Sequence, residues 1–198
     1  MEAFQVAADT ELFIKSLGEV PPPEARPALI VVIGLPGTGK SYFCRRLAER
    51  IPSVILESDA LRKQLFPTPG YSAEESAYLF RSIHRLIDSL LKKGIPIILD
   101  ATNLEERHRE YLYNIAGRRN ARLIIVRVEA PPELVRERLL ARARGKGAGE
   151  FSDADWEIYR RMKPTAEKIA RRHFAVDTSR DIAPVIDKIV KEVKRGKK

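Results

Sequence analysis

The chain has 198 residues, 44% of them hydrophobic and 32% charged, which predicts one compact domain and excludes wholesale disorder, collagen and disulfide scaffolds. A single cysteine, Cys44, rules out an internal disulfide, and the longest apolar run, Ala28 to Ile33, is far too short to cross a bilayer. The net charge is +9, with the excess concentrated in residues 131–198, where 18 basic side chains face 11 acidic ones, so an anionic partner such as a nucleic acid or a phosphorylated ligand is expected.

The N-terminus carries acidic residues before its first lysine, Lys15, the reverse of a secretory signal peptide. The cytosol is the expected location, with no membrane partner. Residues 1–27 read as a leader followed by a linker, because Glu19-Val20-Pro21-Pro22-Pro23-Glu24 is extended and stiff. Leu12, Phe13 and Leu17 give the leader a short amphipathic pattern, suited either to packing back on the body or to binding a partner. Residues 28–198 form the body.

From Ala28 onward, short apolar runs alternate with helical patterns. Strands are predicted at Ala28–Ile33, Val54–Leu56, Ile95–Leu99, Leu123–Val128 and Phe174–Val176. Helices are predicted at about 39–50, 60–65, 73–93, 104–119, 131–144, 152–172 and 181–194. This alternation implies an α/β fold with a parallel, about five-stranded sheet covered on both faces. The glycine-rich stretch Gly145–Gly149 breaks the pattern after the fifth of these helices.

Gly34-Leu35-Pro36-Gly37-Thr38-Gly39-Lys40-Ser41 fits G-x-x-x-x-G-K-[ST] directly after a strand and at the opening of a helix. Gly34, Gly37 and Gly39 let the backbone turn so that successive N–H groups, including those of Pro36's neighbours, Thr38 and Tyr42, point at phosphate oxygens, aided by the helix N-terminus. Lys40 is expected to reach the β- and γ-phosphates and Ser41 to hold Mg²⁺. The partner is ATP or GTP.

Asp100 closes the third strand in Leu99-Asp100-Ala101-Thr102-Asn103, where it faces either the metal or the acceptor side of the crevice. The bland alternative is that Thr102-x-x-Glu105 is a capping box. Asp59 follows the second strand, with Arg62 one turn on, so the two share a face. A carboxylate there accepts the proton of an attacking hydroxyl while the arginine holds a phosphate, or Asp59 is an ordinary N-cap and Arg62 lies in solvent. Arg138, Arg142, Arg144 and Lys146 form a basic run with no acidic residue from 138 to 149. Placed before a glycine breaker, the run reads as a lid over about 138–152 that brings arginines to a transferring phosphate. His84, His108 and His173 have no metal-ligand spacing, and Trp156 with Phe151 and Tyr159 reads as core packing ahead of base stacking.

Together these residues resemble the P-loop kinase family that includes the phage-type polynucleotide 5′-hydroxyl kinase and the zeta-toxin-like and small-molecule kinases. Gly34–Ser41 matches its phosphate loop, Asp59-Ala60-Leu61-Arg62 its D-x-x-R element, Asp100–Asn103 its D-x-T-N strand end and Arg142-Ala143-Arg144 its lid. The resemblance implies a kinase-type P-loop NTPase, a three-layer sandwich with a helical lid. It implies Asp59 as general base, Arg62 on an acceptor phosphate, and Arg142 or Arg144 as the catalytic lid arginine. The expected activity is ATP-dependent transfer to the 5′-hydroxyl of an RNA or DNA end, with Lys40, Asp59, Arg62, Asp100, Arg142 and Arg144 catalytic and Ser41 and Asp100 on Mg²⁺. The rivals are a kinase of a small metabolite, sugar nucleotide or antibiotic, and a nucleotide-dependent switch.

Overall fold

The structure is a computed structural model that describes residues 2–145 and 154–195. In chain order it contains α1 (Glu2–Ser16), β1 (Ala28–Ile33), α2 (Lys40–Ala48), β2 (Val54–Glu57), α3 (Ser58–Leu65), α4 (Ala73–Lys92) and β3 (Ile97–Asp100). There follow α5 (Glu106–Arg118), β4 (Arg122–Glu129), α6 (Pro132–Ala143), α7 (Trp156–Met162), β5 (Phe174–Asp177) and α8 (Ala183–Lys194). The five strands form one parallel sheet in the order β2-β3-β1-β4-β5.

Every residue of β1 is buried, and period-two alternation explains why both of its faces are apolar. Leu29, Val31 and Ile33 point into a core built with Phe13 of α1, Leu79, Ile83 and Leu86 of α4 and Leu112 of α5. Ala28, Ile30 and Val32 point the other way, against Phe43 and Leu47 of α2 and Ile186 and Ile189 of α8. This is the three-layer α/β sandwich expected. A small third cluster joins Val135 and Leu139 of α6 to Tyr159 of α7.

The leader helix packs back on the body. Phe13 is fully buried, and Tyr78 of α4 hydrogen-bonds the buried Asp9. The proline-rich segment is pinned as well, through the Glu24 N–H to the Gly94 carbonyl.

Two expectations are corrected. The predicted helix over 152–172 is, within the described residues, only α7 followed by a 3₁₀ turn at Lys163–Thr165. Pro164 accounts for this, since it lacks the N–H that a continuing α-helix would donate to the preceding turn, and the chain turns extended at Ala166. The Thr102/Glu105 capping box does not form: Glu105 is the N-cap of α5, without a side-chain cap, and Asn103 sits at φ +46°. Residues 101–105 are a loop instead. Lys146, Phe151 and the lid residues 146–152 lie outside the described residues.

Candidate active site

In this topology the carboxyl ends of β1, β2 and β3 lie side by side, with Val32, Asp100 and Glu57 in register. The crevice beyond the carboxyl ends is where open α/β sheets hold ligands. The loop from Gly34 to Gly39 leaves β1 there and runs into α2. A Cβ on Gly34 would lie 2.4 Å from the Val128 carbonyl oxygen of β4, and one on Gly37, at φ +76°, would lie 2.9 Å from both Val135 and Leu139. These approaches seat the loop, with its buried Pro36 and Thr38, tightly against β4 and α6.

Gly39 is the N-cap of α2 at φ +89° and offers no side chain, so the helix presents its first amides outward. Inside the loop, the Leu35 carbonyl accepts hydrogen bonds from Thr38 Oγ1 at 2.8 Å and Lys40 Nζ at 3.1 Å. Tyr42 follows, 51% exposed.

Asp100 ends β3 with only 5% exposure. Burial pushes its pKa above the ordinary carboxylate range, opposed by the Lys40 ammonium and by a hydrogen bond with the Ser41 side chain, while Asp59 pushes it further up. Lys40, Ser41 and Asp59 are thus each brought within electrostatic reach of Asp100. Asp59 stands in the first turn of α3. Cys44 lies behind Asp100, and burial, followed by the Asp100 charge, raises its thiol pKa well above normal. That makes it a packing residue rather than a nucleophile.

Arg62 is not in solvent. It is 7% exposed, its Nη1 is ion-paired with Glu75, its Nη2 donates to Ser76 Oγ at 3.3 Å, and its guanidinium lies 4.8 Å from the Tyr71 ring centroid. The Glu75 carboxylate also accepts from the Gly70 and Tyr71 amides at 2.7 and 3.2 Å. Burial alone raises the Glu75 pKa, but the Arg62 hydrogen bond and the two amides outweigh it and hold the carboxyl below its usual range. Tyr71 occupies the left-handed region at φ +54°, a strained conformation for a bulky residue that the surrounding bonds must hold.

Among the basic run on α6, the residue that meets the phosphate loop is Arg138. It donates to Thr178 Oγ1 at 2.8 Å and to the Thr178 carbonyl at 3.1 Å, and Thr178 in turn donates to the Thr38 carbonyl at 2.7 Å. Arg142 is half-buried in the last turn of α6 and Arg144 is its exposed C-cap. Thr178, after β5, is not recognisable in the sequence, because a lone threonine 140 positions from its partner carries no local signal. Trp156 stacks on Tyr159 at 4.9 Å between ring centroids, and Tyr159 is buried, as core packing requires.

His84 and His108, distant in sequence, meet across α4 and α5. Phe80 lies 6.3 Å from both rings, and His84 stacks on Tyr111 at 5.5 Å. Burial, then the nearby His108, lowers the His84 pKa to about 4.

A family model described as an AAA domain, AAA_33, matches residues 29–175. The chain belongs to the AAA_33 family. The match runs from within β1 into β5 and includes the phosphate loop, Asp59, Asp100 and α6. The chain is 33% identical over 119 residues to the L-seryl-tRNA(Sec) kinase of Methanococcus maripaludis, a match covering 58% of this chain and 46% of that protein. It is 30% identical over 137 residues to the adenylyl-sulfate kinase of Paraburkholderia xenovorans, covering 65% and 75%. The chain thus spans less than half the length of the first of these curated relatives. The fold is shared with a gluconokinase from Sinorhizobium meliloti, with a TM-score of 0.60 at 22% identity over 87% of this chain and 94% of that one. These relatives are P-loop small kinases. No helix among the described residues is long and apolar enough to cross a membrane.

Proposed function

We propose that the chain is an ATP-dependent phosphotransferase whose acceptor is a hydroxyl of a small molecule. The observation that carries the reading is the juxtaposition of Lys40, Ser41, Asp59 and Asp100 at the carboxyl ends of three adjacent strands, beside an uncapped helix N-terminus. Such a site combines a phosphate cradle, a cation-binding pair and a proton acceptor, the parts that phosphoryl transfer needs.

The Lys40 ammonium exchanges the Leu35 carbonyl for the β- and γ-phosphate oxygens, and the amides of Gly37 to Ser41 hold the rest of the triphosphate. Ser41 and Asp100 would hold Mg²⁺, and the chain fits the ion because a buried carboxylate beside a serine hydroxyl calls for a cation. An ion held there would supply positive charge against the phosphates of the nucleotide. Asp59 accepts the proton of the acceptor hydroxyl as its oxygen bonds to the γ-phosphorus and the bond to ADP breaks. Arg142 and Arg144, at the lid end of α6, supply charge to the transition state.

Two observations favour a small acceptor over a polynucleotide 5′ end. One curated relative is named as a kinase of adenylyl sulfate and one fold neighbour as a gluconokinase, both for small acceptors. Arg62, which the resemblance assigns to an acceptor phosphate, is engaged by Glu75. The test is incubation with γ-labelled ATP and Mg²⁺, offering a panel of small alcohols beside 5′-hydroxyl oligonucleotides, with Lys40→Ala as control. Label on a small acceptor, lost in the variant, is the expected result. Label confined to oligonucleotides overturns the small-acceptor reading, and hydrolysis without transfer to any acceptor overturns the phosphotransferase reading.

A further inference from the structure

The arginine beside the proposed base is already neutralised. Arg62 lies one helical turn from Asp59 on α3, so both side chains share a face. Its positive charge meets the Glu75 carboxylate, with both side chains nearly buried, at 8% and 12% exposure. That carboxylate is not a mobile counter-ion. It is fixed by the Gly70 and Tyr71 amides, and its residue is the third of α4, where the Ser72 cap hydroxyl accepts from the Glu75 N–H at 3.1 Å. Tyr71 covers the guanidinium, and Ser76 takes its second terminal nitrogen.

To pair with the Arg62 charge, an anionic group on the acceptor has to compete with Glu75, which already holds Nη1. Displacement costs the ion pair and both amide bonds and strands a carboxylate next to a second anion. A neutral hydroxyl compound faces none of these costs, because a charge-cancelled pair still presents hydrogen-bonding groups to hydroxyls.

We infer that the Arg62–Glu75 pair makes the acceptor a neutral polyhydroxy compound, such as a polyol, a sugar or a nucleoside, and rejects one carrying a phosphate beside the reacting hydroxyl. The inference rests on the phosphotransferase reading and narrows its substrate class. The transfer itself balances as before: the γ-phosphoryl group passes from ATP to the hydroxyl oxygen, the proton goes to Asp59, and ADP leaves.

The experiment compares matched acceptors: D-ribose with ribose 5-phosphate, glycerol with glycerol 3-phosphate, and adenosine with adenosine 3′-monophosphate. Each pair is assayed for kcat/KM with the wild type and with Glu75→Gln. The wild type is expected to prefer the neutral member of the accepted pair by about tenfold or more, and Glu75→Gln to shift that ratio toward the phosphorylated member by about tenfold. A wild-type preference for a phosphorylated member, or a ratio unmoved by Glu75→Gln, overturns the inference. The wild-type ratio needs no variant, so a misfolded Glu75→Gln does not remove the test.

A second readout is independent of turnover: titration of adenosine 3′-monophosphate into each protein in the presence of a non-hydrolysable ATP analogue. Tighter binding to Glu75→Gln, about tenfold, supports the charge selection even if no acceptor is labelled, in which case it is the phosphotransferase reading that fails. No label together with equal binding to both proteins overturns the inference.

Discussion

Replacing Arg109 by Met removes a side chain that is completely buried and whose five N–H groups are all used. Nε donates to Glu106 at 2.6 Å, Nη1 to the Asn103 and Leu104 carbonyls at 2.7 Å each, and Nη2 to the Glu167 and Lys168 carbonyls at 3.3 and 3.0 Å. The guanidinium therefore ties the loop after Asp100 to the chain that follows the 3₁₀ turn. Methionine fills similar volume and leaves the acceptors behind. Asn103 is buried, so its carbonyl is stranded at about 1–3 kcal/mol, whereas the Leu104 carbonyl keeps the Glu167 N–H and Glu167 and Lys168 are exposed and rehydrate. Glu106 loses its charged partner while 23% exposed, and recovers part of that loss in water. The net destabilisation is about 3–5 kcal/mol, in the range for removing one partner of a buried pair. With an m-value of about 2 kcal/mol/M, the urea midpoint falls by about 2 M. Arg109→Lys keeps the charge but has three donors in place of five, and is expected to fall about midway. A midpoint shift below about 0.5 M for Arg109→Met would refute the claim that this side chain holds the strand-end loop.

Other substitutions test separate parts of the structure. Gly37→Ala forces an L side chain into φ +76°, with its Cβ against Val135 and Leu139. The backbone alone costs about 1–2 kcal/mol, so affinity for a fluorescent ATP analogue is expected to drop about tenfold or more, and unchanged affinity would contradict the tight seating of the loop. Phe13→Ala empties a site in the main core and is expected to cost about 3–5 kcal/mol, or roughly 6–20 °C in Tm for a chain of this size. A melting temperature within about 2 °C of wild type would mean that α1 is not part of the fold's core. His84 is held neutral, with its pKa lowered to about 4, against about 6.5 in the unfolded chain. Between those values the unfolded state binds more protons, so stability is full above about pH 6.5 and declines on acidification, by about 2 kcal/mol between pH 7 and pH 5. His84→Gln should flatten that part of the pH–stability curve relative to wild type, and superimposable slopes would refute the assignment.

What can be read from the sequence is set by local physics. β1 is legible to the residue because a six-residue apolar run that ends at a glycine loop is too short for a buried helix and too apolar for a surface turn. The phosphate loop and the strand-end acids Asp59 and Asp100 are legible for a related reason, since each sits at a junction marked by its neighbours. Arg62 is visible in the sequence, but its state is not. Its partner Glu75 is thirteen residues away on another helix, and the intervening Pro67-Thr68-Pro69-Gly70 loop gives no periodicity from which to infer the closure. Arg109 looks like one more basic residue on an amphipathic helix, because most of its acceptors are backbone carbonyls, which carry no sequence signature. Apolar spacing extends the predicted helix over 152–172, whereas Pro164 ends it in the fold. The capping-box pattern at Thr102 and Glu105 is overridden by Arg109, which draws in the Asn103 and Leu104 carbonyls.

The site divides into halves made in different ways. The donor half is backbone: glycine approaches to β4 and α6, helix amides, and a lysine and serine in the first turn of α2. Those interactions require close packing on β1, the middle strand of the sheet, so few substitutions are tolerated there. The acceptor half of the proposed site hangs from β2, the edge strand, and consists of α3, the loop before α4 and the first turn of α4. Its closure depends on side-chain pairs, Arg62 with Glu75 and Ser16 of α1 with Gln64 of α3. An edge element is bounded by the sheet on one side only, so its partner residues can change without disturbing the phosphate loop. The physical consequence is that nucleotide binding and acceptor choice should separate under mutation. Glu75→Gln changes which hydroxyl compound is used and leaves affinity for the ATP analogue within about twofold, a difference of about 0.4 kcal/mol. A larger loss of nucleotide affinity in that variant would show that the two halves are mechanically one.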